Sequence, residues 1–191
     1  MPQGSHRTDS GETPGEDERA LLLAAQAHDG QALARLYEKN VRPVYRYLHS
    51  LVGNGPDAED LTSTTFLQAL EALPRYRPGG SFTAWLFRIA HSRAMDHFRR
   101  QRPEVGLDPA THPADESDPA GQVIQRQEQE LLRRLLVNLT VEQQDLLRLR
   151  YIAELSFAEI GRVVGKSEGS VKKHLYRLLA RLQTQMEVDH E

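Results

Sequence analysis

Apolar residues recur at helical spacing along two stretches of this chain, and the segment between the two stretches lacks any such pattern. That segment, Pro103 to Gly121, holds four prolines, two glycines and no aromatic residue. Such a composition buries too little apolar area to offset the entropy that ordering would cost. No Val/Ile alternation typical of a strand is seen. The sequence therefore predicts an all-α protein of two small helical domains joined by a flexible linker.

Five segments follow from this pattern. Residues 1–17 are polar and aperiodic, which is typical of a disordered arm. A four-helix domain is predicted for residues 18–102, and a second helical domain for residues 122–185. The flexible, acidic, Pro-rich linker of residues 103–121 joins the two domains, and residues 186–191 form a tail.

The formal net charge of -3 conceals two basic stretches separated by an acidic one. Between Arg75 and Arg102 seven arginines face one acid, a local charge of +6. Between Arg162 and Arg181 six Lys or Arg residues face one acid, a local charge of +5. The linker carries five acids and no Lys or Arg. Because both basic stretches lie on helical patterns, each predicts a surface for a polyanion such as nucleic acid.

Several classes of protein are excluded by what the chain lacks. Cysteine is absent, which excludes disulfides, thiolate zinc sites and a cysteine nucleophile. His91 and His97 stand about 240 degrees apart around one helix, so their imidazoles cannot share a metal ion. Neither a phosphate-binding Gly loop nor a Ser elbow occurs. We therefore predict no enzyme activity, cofactor, metal site or small-molecule substrate, and the lack of a signal peptide or long apolar run predicts a cytoplasmic protein.

The last part of the chain has the outline of a helix-turn-helix. Thr140 and Ser156 each begin a capping-box pattern, Gly165 ends the helix that Ser156 begins, and Ser167 caps a final helix. An apolar stripe on that final helix faces inward: Val171, Leu175, Leu178, Leu179 and Leu182. The remaining surface presents groups suited to the edges and phosphates of duplex DNA: Ser170, Lys172, Lys173, Tyr176 and Arg177.

A helix predicted from about Ser81 to Arg100 has a second face beside its core stripe. The core stripe consists of Phe82, Leu86, Ile89 and Ala90. The second face interleaves aromatic, cationic and small polar groups, as single-stranded nucleic acid requires for stacking and phosphate contact. Its members are Trp85, Arg88, Ser92, Asp96 and Arg99, and Tyr76 and Arg77 lie just before the helix. Most of the Trp85 ring is expected in the core.

The helix predicted before Ser81 begins with three acidic residues. Gly53-Asn54-Gly55-Pro56 breaks the preceding pattern, and Asp57, Glu59 and Asp60 then occupy the first turn and a half. Acids at this end complement the positive end of the helix dipole, so a purely structural role is an alternative to a binding role.

Three runs, in this order, resemble segments of the extracytoplasmic-function (ECF) sigma factors, members of the sigma-70 family that give RNA polymerase its promoter recognition. DAEDLTSTTFLQALEAL, from Asp57, resembles their polymerase-binding segment, and SFTAWLFRIAHSRAMDHFRR, from Ser81, resembles their minus-ten segment. LTVEQQDLLRLRYIAELSFAEIGRVVGKSEGSVKKHLYRLLARL, from Leu139, resembles their minus-thirty-five domain. The resemblance extends from Glu18 to about Gln183, except for the linker, and it implies a non-enzymatic sigma factor that directs core RNA polymerase to specific promoters.

The resemblance also implies a role for each candidate residue. The surface for the clamp helices of the largest polymerase subunit would contain Asp57, Glu59, Asp60 and Phe66. The minus-ten strand would meet Gln68, Tyr76, Arg77, Trp85, Arg88, Ser92, Asp96 and Arg99, with Tyr76, Ser92 and Asp96 at the pocket for an extruded base. The minus-thirty-five duplex would meet Ser170, Lys172, Lys173, Tyr176 and Arg177. An anti-sigma factor is implied as a further partner.

The rival hypothesis is a helix-turn-helix regulator that binds duplex operator DNA without polymerase, its first helices serving dimerisation or sensing. That hypothesis explains the final helices equally well. It does not explain why the fourth predicted helix carries basic and aromatic residues, or why the helix before it begins with acidic residues. A regulator should bind its duplex unaided, whereas a sigma factor should need polymerase.

Overall fold

The computed structural model describes residues 16–77, 80–101, 136 and 138–188, and in these ranges it contains helices and turns but no strand. The first group of helices is α1 (Glu16–Gln26), α2 (Gly30–Val52), α3 (Gly55–Ala72) and α4 (Phe82–Gln101). The second group is α5 (Val141–Leu147), α6 (Phe157–Val164) and α7 (Glu168–Val188). A 3-10 turn (Leu73–Arg75) follows α3, and a π-helical turn (Arg148–Ile152) follows α5. The predicted all-α class is confirmed.

The predicted segment boundaries are only partly covered by the described residues. The arm up to residue 15, the linker of residues 103–121 and the beginning of the second domain at residues 122–135 lie outside them. α1 begins at Glu16 and α7 ends at Val188, slightly beyond the predicted domain limits. Among the described helices, none combines the length and apolar character that crossing a bilayer requires.

The helix ends are set by the local signals that the sequence contains. Asp29 caps α2 by accepting a hydrogen bond from the Ala32 N–H, and Asn54 caps α3 by accepting one from Asp57. Both predicted capping boxes form, with Thr140 and Gln143 at α5 and with Ser156 and Glu159 at α6. These caps satisfy backbone donors that a helix start would otherwise leave without partners.

The first group packs around large side chains that are entirely enclosed. Val44, Tyr47 and Leu48 of α2 and Leu86 and Phe87 of α4 are 0% exposed. The Tyr47 and Phe87 rings meet edge to face, with centroids 5.5 Å apart. Burial of each such side chain contributes about 1.5 to 3 kcal/mol before the entropic cost is counted, so α2 and α4 anchor this group.

The second group packs its helices around the predicted apolar stripe of α7. Val171, Leu175, Leu178 and Leu182 are buried, while Leu179 is half-buried. Between α6 and α7 the chain turns at Gly165, which adopts a left-handed φ of 70° and caps α6 with its N–H on Gly161. Ser167 then accepts the Ser170 N–H at 3.2 Å, as the sequence predicts for the start of α7.

The two groups also contact each other. α4 lies against α6, and α2 lies against the π-helical turn. Buried residues of both groups, among them Phe87, Leu149 and Ile160, belong to one continuous apolar cluster. The arrangement therefore brings the beginning of α4 next to the first helix of the helix-turn-helix.

Candidate nucleic-acid and partner interfaces

The three acidic residues at the start of α3 differ in their surroundings. The Asn54 amide donates to Asp57 Oδ2 at 2.9 Å, and His97 Nε2 lies 3.5 Å from the same oxygen. Glu59 and Asp60 are exposed. The backbone N–H and the carboxylate of Asp57 thus both take part in the helix start. Glu59 and Asp60 are available to a partner.

An apolar surface continues from these acids along α3. Phe66 stands seven residues after Glu59, hence on the same face of the helix, and its ring meets Tyr37 of α2 at 4.8 Å. Leu67 and Leu70, which follow the acids on α3, are 61% and 48% exposed. This exposure could not be predicted from the sequence, because helical periodicity alone does not distinguish a buried position from one at the edge of a groove.

The aromatic residues before and within α4 form one cluster. The Tyr76 and Trp85 ring centroids are 4.7 Å apart, and Phe82 lies 5.4 Å from Trp85. Gln26 of α1 holds the chain that carries Tyr76 by donating to its carbonyl oxygen at 2.6 Å. Tyr76 Oη donates to Gly80 O, and burial raises the pKa of this phenol, so it is a neutral donor at physiological pH. Trp85 is half-buried, in agreement with its expected part in the core.

Cationic and polar side chains extend from this cluster along α4. Arg88, Ser92 and Arg99 are exposed and recur at spacings that keep them on one face. Asp96 accepts a hydrogen bond from Arg99 through Oδ1 at 2.5 Å. Gln68 of α3 contacts α4 through a different residue, because its Oε1 accepts from Arg93 Nε at 2.6 Å. Arg77 is exposed just before the helix. Seven of the eight candidate residues thus lie on α4 or in the segment just before it, and the eighth, Gln68, lies on α3.

The outward face of α7 presents the predicted residues together. Lys172, Lys173, Tyr176 and Arg177 are exposed, and Ser170 is half-buried at the start of the helix. The Tyr176 ring lies 5.9 Å from Phe157 of α6. This arrangement exposes two ammonium groups, one guanidinium and one phenol, which are groups suited to contacts in a groove.

Two residues that the sequence analysis missed adjoin this face. The Arg150 guanidinium lies 4.5 Å from the centre of the Phe157 ring, and Lys172 Nζ lies 5.9 Å from the same centre. Arg150 is fixed further by donating to Leu155 O at 2.8 Å. The capping box at Ser156 predicts that Phe157 is the first residue of α6, but it does not indicate which side chains meet the Phe157 ring.

A buried polar cluster joins the two helical groups, and the sequence analysis did not find it. Tyr47 Oη donates to Asp145 Oδ1 at 2.9 Å, and His91 Nδ1 lies 3.2 Å from Asp145 Oδ2. A second contact is made by Ser81, whose hydroxyl donates to Glu159 Oε1 at 2.5 Å. In the described part of the chain no three His, Asp or Glu side chains come together in a way that could hold a metal ion.

Comparison with known proteins matches both helical groups. Residues 36–104 match the family described as Sigma-70 region 2, and residues 129–182 match Sigma-70, region 4. The ECF RNA polymerase sigma factor BldN of Streptomyces coelicolor is 35% identical over 181 residues, which are 93% of this chain and 69% of that protein.

Two solved structures share the fold. A chain in the structure of CnrH in complex with the cytosolic domain of CnrY gives a TM-score of 0.65 at 23% identity, covering 90% of this chain and 97% of that one. A chain in the co-crystal structure of the sigma factor RpoE with the anti-sigma factor NepR, from Bartonella quintana, gives a TM-score of 0.60 at 21% identity. This match covers 82% of this chain and 97% of that one. With regions 2 and 4 matched in order and the likeness to BldN spanning both, the chain belongs to the ECF RNA polymerase sigma factors of the sigma-70 family.

Proposed function

We propose that this sigma factor binds core RNA polymerase through region 2, reads the minus-ten element as a melted strand along α4, and reads the minus-thirty-five element as a duplex with α7. The observation that carries the proposal is that one chain presents two basic surfaces of different chemistry. The α4 surface combines an aromatic cluster with spaced cations, whereas the α7 surface combines flexible cations with a phenol.

The acidic and apolar face of α3 is proposed as the polymerase contact. Glu59 and Asp60 are exposed, and Phe66 and Leu67 follow them on the same face about two turns later. A rim of charge around an apolar centre is the usual composition of a protein interface. The clamp helices of the largest polymerase subunit are the proposed partner, with Asp57 shaping the helix start.

The α4 surface fits a single strand better than a duplex. Tyr76 and Trp85 offer ring surface on which an unstacked base can lie, and Arg88 and Arg99 supply cations for the backbone. A base edge exposed by melting needs polar partners, and Ser92 and Asp96 stand one helical turn apart nearby. A base-paired duplex would use neither the stacking surface nor those polar groups.

The remaining assignments follow from the proposed role. The chain acts without catalysis or a cofactor of its own, in the cytoplasm where polymerase and chromosome are found. An anti-sigma factor is proposed as a partner, since RpoE, which shares the fold, was crystallised with the anti-sigma factor NepR.

The test compares promoter binding and run-off transcription with and without core polymerase, using a genomic library of duplex fragments. The sigma factor should direct transcription from a small set of fragments only when core polymerase is present, and should bind those duplexes weakly alone. Tight, sequence-specific binding of a duplex by the isolated chain, with no effect on transcription by core polymerase, would instead identify a helix-turn-helix regulator.

A further inference from the structure

The last residue of α1 reaches across to the connection between α3 and α4. The Gln26 amide nitrogen donates to Leu73 O at 3.0 Å and to Tyr76 O at 2.6 Å. A side-chain amide has two N–H groups, and here both find carbonyl oxygens, which lie 47 and 50 positions further along the chain. Gln26 therefore joins α1 to the segment that carries the aromatic cluster of Tyr76, Phe82 and Trp85.

Gln26 starts from a fixed position, because the end of α1 is tightly packed. Leu22, one turn before Gln26, and Ala25 are 0% and 1% exposed. α1 ends where His28 takes a left-handed φ of 62°, and the N–H of the following residue donates back to Ala24 O at 3.1 Å. The base of the Gln26 side chain is thus held against the core of region 2.

The connection that Gln26 contacts begins in the core and continues at the surface. Leu73 is 4% exposed, whereas Pro74 and Arg75, which complete the 3-10 turn, are exposed. The Tyr76 N–H donates to Leu73 O at 3.0 Å, and the same oxygen accepts from Gln26. Tyr76 then leaves the turn in an extended conformation. Gln26 therefore closes the turn from outside by holding the carbonyl at each end.

The carbonyl at the far end belongs to Tyr76, so its hydrogen bond fixes the peptide group from which the Tyr76 side chain departs. The Tyr76 ring packs on Trp85 with centroids 4.7 Å apart, and its hydroxyl donates to Gly80 O at 3.1 Å. Tyr76 is thus held at its backbone by α1 and at its phenol by the residues before α4. A surface that is ordered before its ligand arrives loses less conformational entropy on binding.

We propose that Gln26 is a positioning residue for the minus-ten strand, because its amide holds the turn after α3 so that Tyr76 and Trp85 form a ready stacking surface. This inference rests on the proposed function for the strand, whereas the order of the aromatic cluster is a property of the free chain. α1 lies before residues 36–104, so the match to Sigma-70 region 2 does not include it. α1 thereby takes part in reading the minus-ten element through a single amide.

The first test follows the fluorescence of Trp85, the only tryptophan in the chain, in the free protein. Gln26→Met keeps a long, unbranched side chain and removes both donors. Its Trp85 emission should move to longer wavelength, and acrylamide should quench that emission more strongly, because the Tyr76 ring no longer covers the indole steadily. Gln26→Lys supplies new N–H donors on a stem that reaches as far, so both signals should return toward the wild-type values.

The matched control is Gln31→Met, the same substitution at an exposed position of α2, and it should leave emission and quenching unchanged. Circular dichroism checks that each variant keeps its helices. If Gln26→Met unfolds, Gln26→Glu takes its place, since an ionised carboxylate has the same size and no donor. Unfolding of both would overturn the proposal, because the residue would then hold the whole domain. Wild-type fluorescence in a folded Gln26→Met, or an equal change in Gln26→Lys, would also overturn it.

The second test measures strand binding by the complex with core polymerase. The probe is a dye-labelled single strand that carries the minus-ten element of a promoter found in the run-off experiment, with a scrambled strand as reference, and anisotropy reports its binding. Gln26→Met should lower the affinity for the minus-ten strand about tenfold, since binding must then order a turn that has lost two hydrogen bonds. Its affinity for core polymerase should stay at the wild-type value.

The two tests separate the positioning role from the proposed function. Altered fluorescence with unchanged strand affinity in Gln26→Met, while the wild-type complex prefers the minus-ten strand, would overturn the positioning role and leave the proposed function intact. If the wild-type complex shows no preference for that strand over the scrambled one, the proposed function fails. Altered fluorescence in Gln26→Met would even then support the ordering of the aromatic cluster by Gln26.

Discussion

Gly161 occupies a point in α6 where the following turn passes too close for a side chain. A Cβ at this position would lie 2.5 Å from the carbonyl oxygen of Lys166, which is backbone and cannot swing aside. The Lys166 N–H also donates to Gly161 O at 2.9 Å, which fixes the turn against the helix. The path from α6 to α7 thus depends on the absence of a methyl group at Gly161.

We predict that Gly161→Ala lowers the free energy of unfolding by about 1 to 3 kcal/mol, the usual cost of forcing an extra methylene into a packed site. Urea denaturation followed by circular dichroism measures it. Gly169→Ala is the matched control, because nothing lies within 4 Å of its Cβ and α7 continues through it. Alanine there should raise the free energy of unfolding by about 0.5 to 1 kcal/mol. Equal effects of the two substitutions would show that the turn does not need the glycine.

Lys173 and Arg177, four residues apart on the exposed face of α7, are predicted to contact minus-thirty-five DNA. Alanine at a residue that reads a base should cost about 1 to 3 kcal/mol and relax preference at one position, while loss of a phosphate contact should weaken all sequences and flatten the salt dependence. Binding of the polymerase complex to promoter duplexes of varied sequence and salt distinguishes the two. Arg181→Ala is the control, since its guanidinium donates to Gln143 instead. A double variant with wild-type transcription from a minus-thirty-five-dependent promoter would contradict this choice of face.

At the scale of the element, α3 is a helix whose acidic start and apolar side belong to one surface. We predict that replacing Asp57, Glu59 and Asp60 with Lys weakens assembly with core polymerase by about tenfold or more, equivalent to about 1.4 kcal/mol. Because Asp57 is held by Asn54 and His97, Glu59→Lys with Asp60→Lys alone should produce most of the loss. Co-elution and titration with core polymerase measure it.

The control for this prediction is Glu71→Lys, an exposed charge reversal near the other end of α3. Losing acids at a helix start costs about 0.3 to 1 kcal/mol each in stability, so circular dichroism must show an intact fold. If the folded triple variant co-elutes with polymerase as the wild type does, the interface lies elsewhere on region 2.

Helix ends were predictable from the sequence because each depends on a few neighbouring residues. Thr140, Ser156 and Gly165 act through backbone groups within three or four residues, and all three perform the predicted role. Contacts between helices were not predictable in this way. Nothing near Phe157 in the chain indicates that Arg150 and Tyr176 meet its ring, and the exposure of Leu67 depends on how α2 and α3 pack.

At the scale of the whole molecule, the composition predicted two helical units but not their mutual contact. Tyr47 and Asp145 are 98 positions apart. In the sequence, Tyr47 resembles an ordinary core aromatic residue, and Asp145 resembles an ordinary acid on a helix surface. Only the packing of the π-helical turn, which directly follows α5, against α2 gives the pair a common position. Long-range polar pairs of this kind leave no periodic signal, because one partner's location depends on every element between them.

The surfaces of α3, α4 and α7 are predicted to act at different steps of transcription initiation. Replacing Tyr76, Arg88, Ser92 and Asp96 with Ala should leave polymerase binding and minus-thirty-five recruitment unchanged, because these steps use α3 and α7. The same variant should reduce open-complex formation on duplex promoters. Permanganate reactivity of thymines in the bubble measures this reduction. The reason is that an extruded base must recover a few kcal/mol of unstacking from a ring surface and polar partners. A pre-melted template should partly rescue a defect in strand separation but not one in holding the base. Tyr76 packs on Trp85, so a matched variant with Tyr76→Phe and the other three alanines keeps the aromatic cluster. Its rate of open-complex formation should lie between those of the wild type and the fourfold variant. If the fourfold variant opens a duplex promoter as fast and as fully as the wild type, α4 is a packed, solvated helix and the strand binds elsewhere.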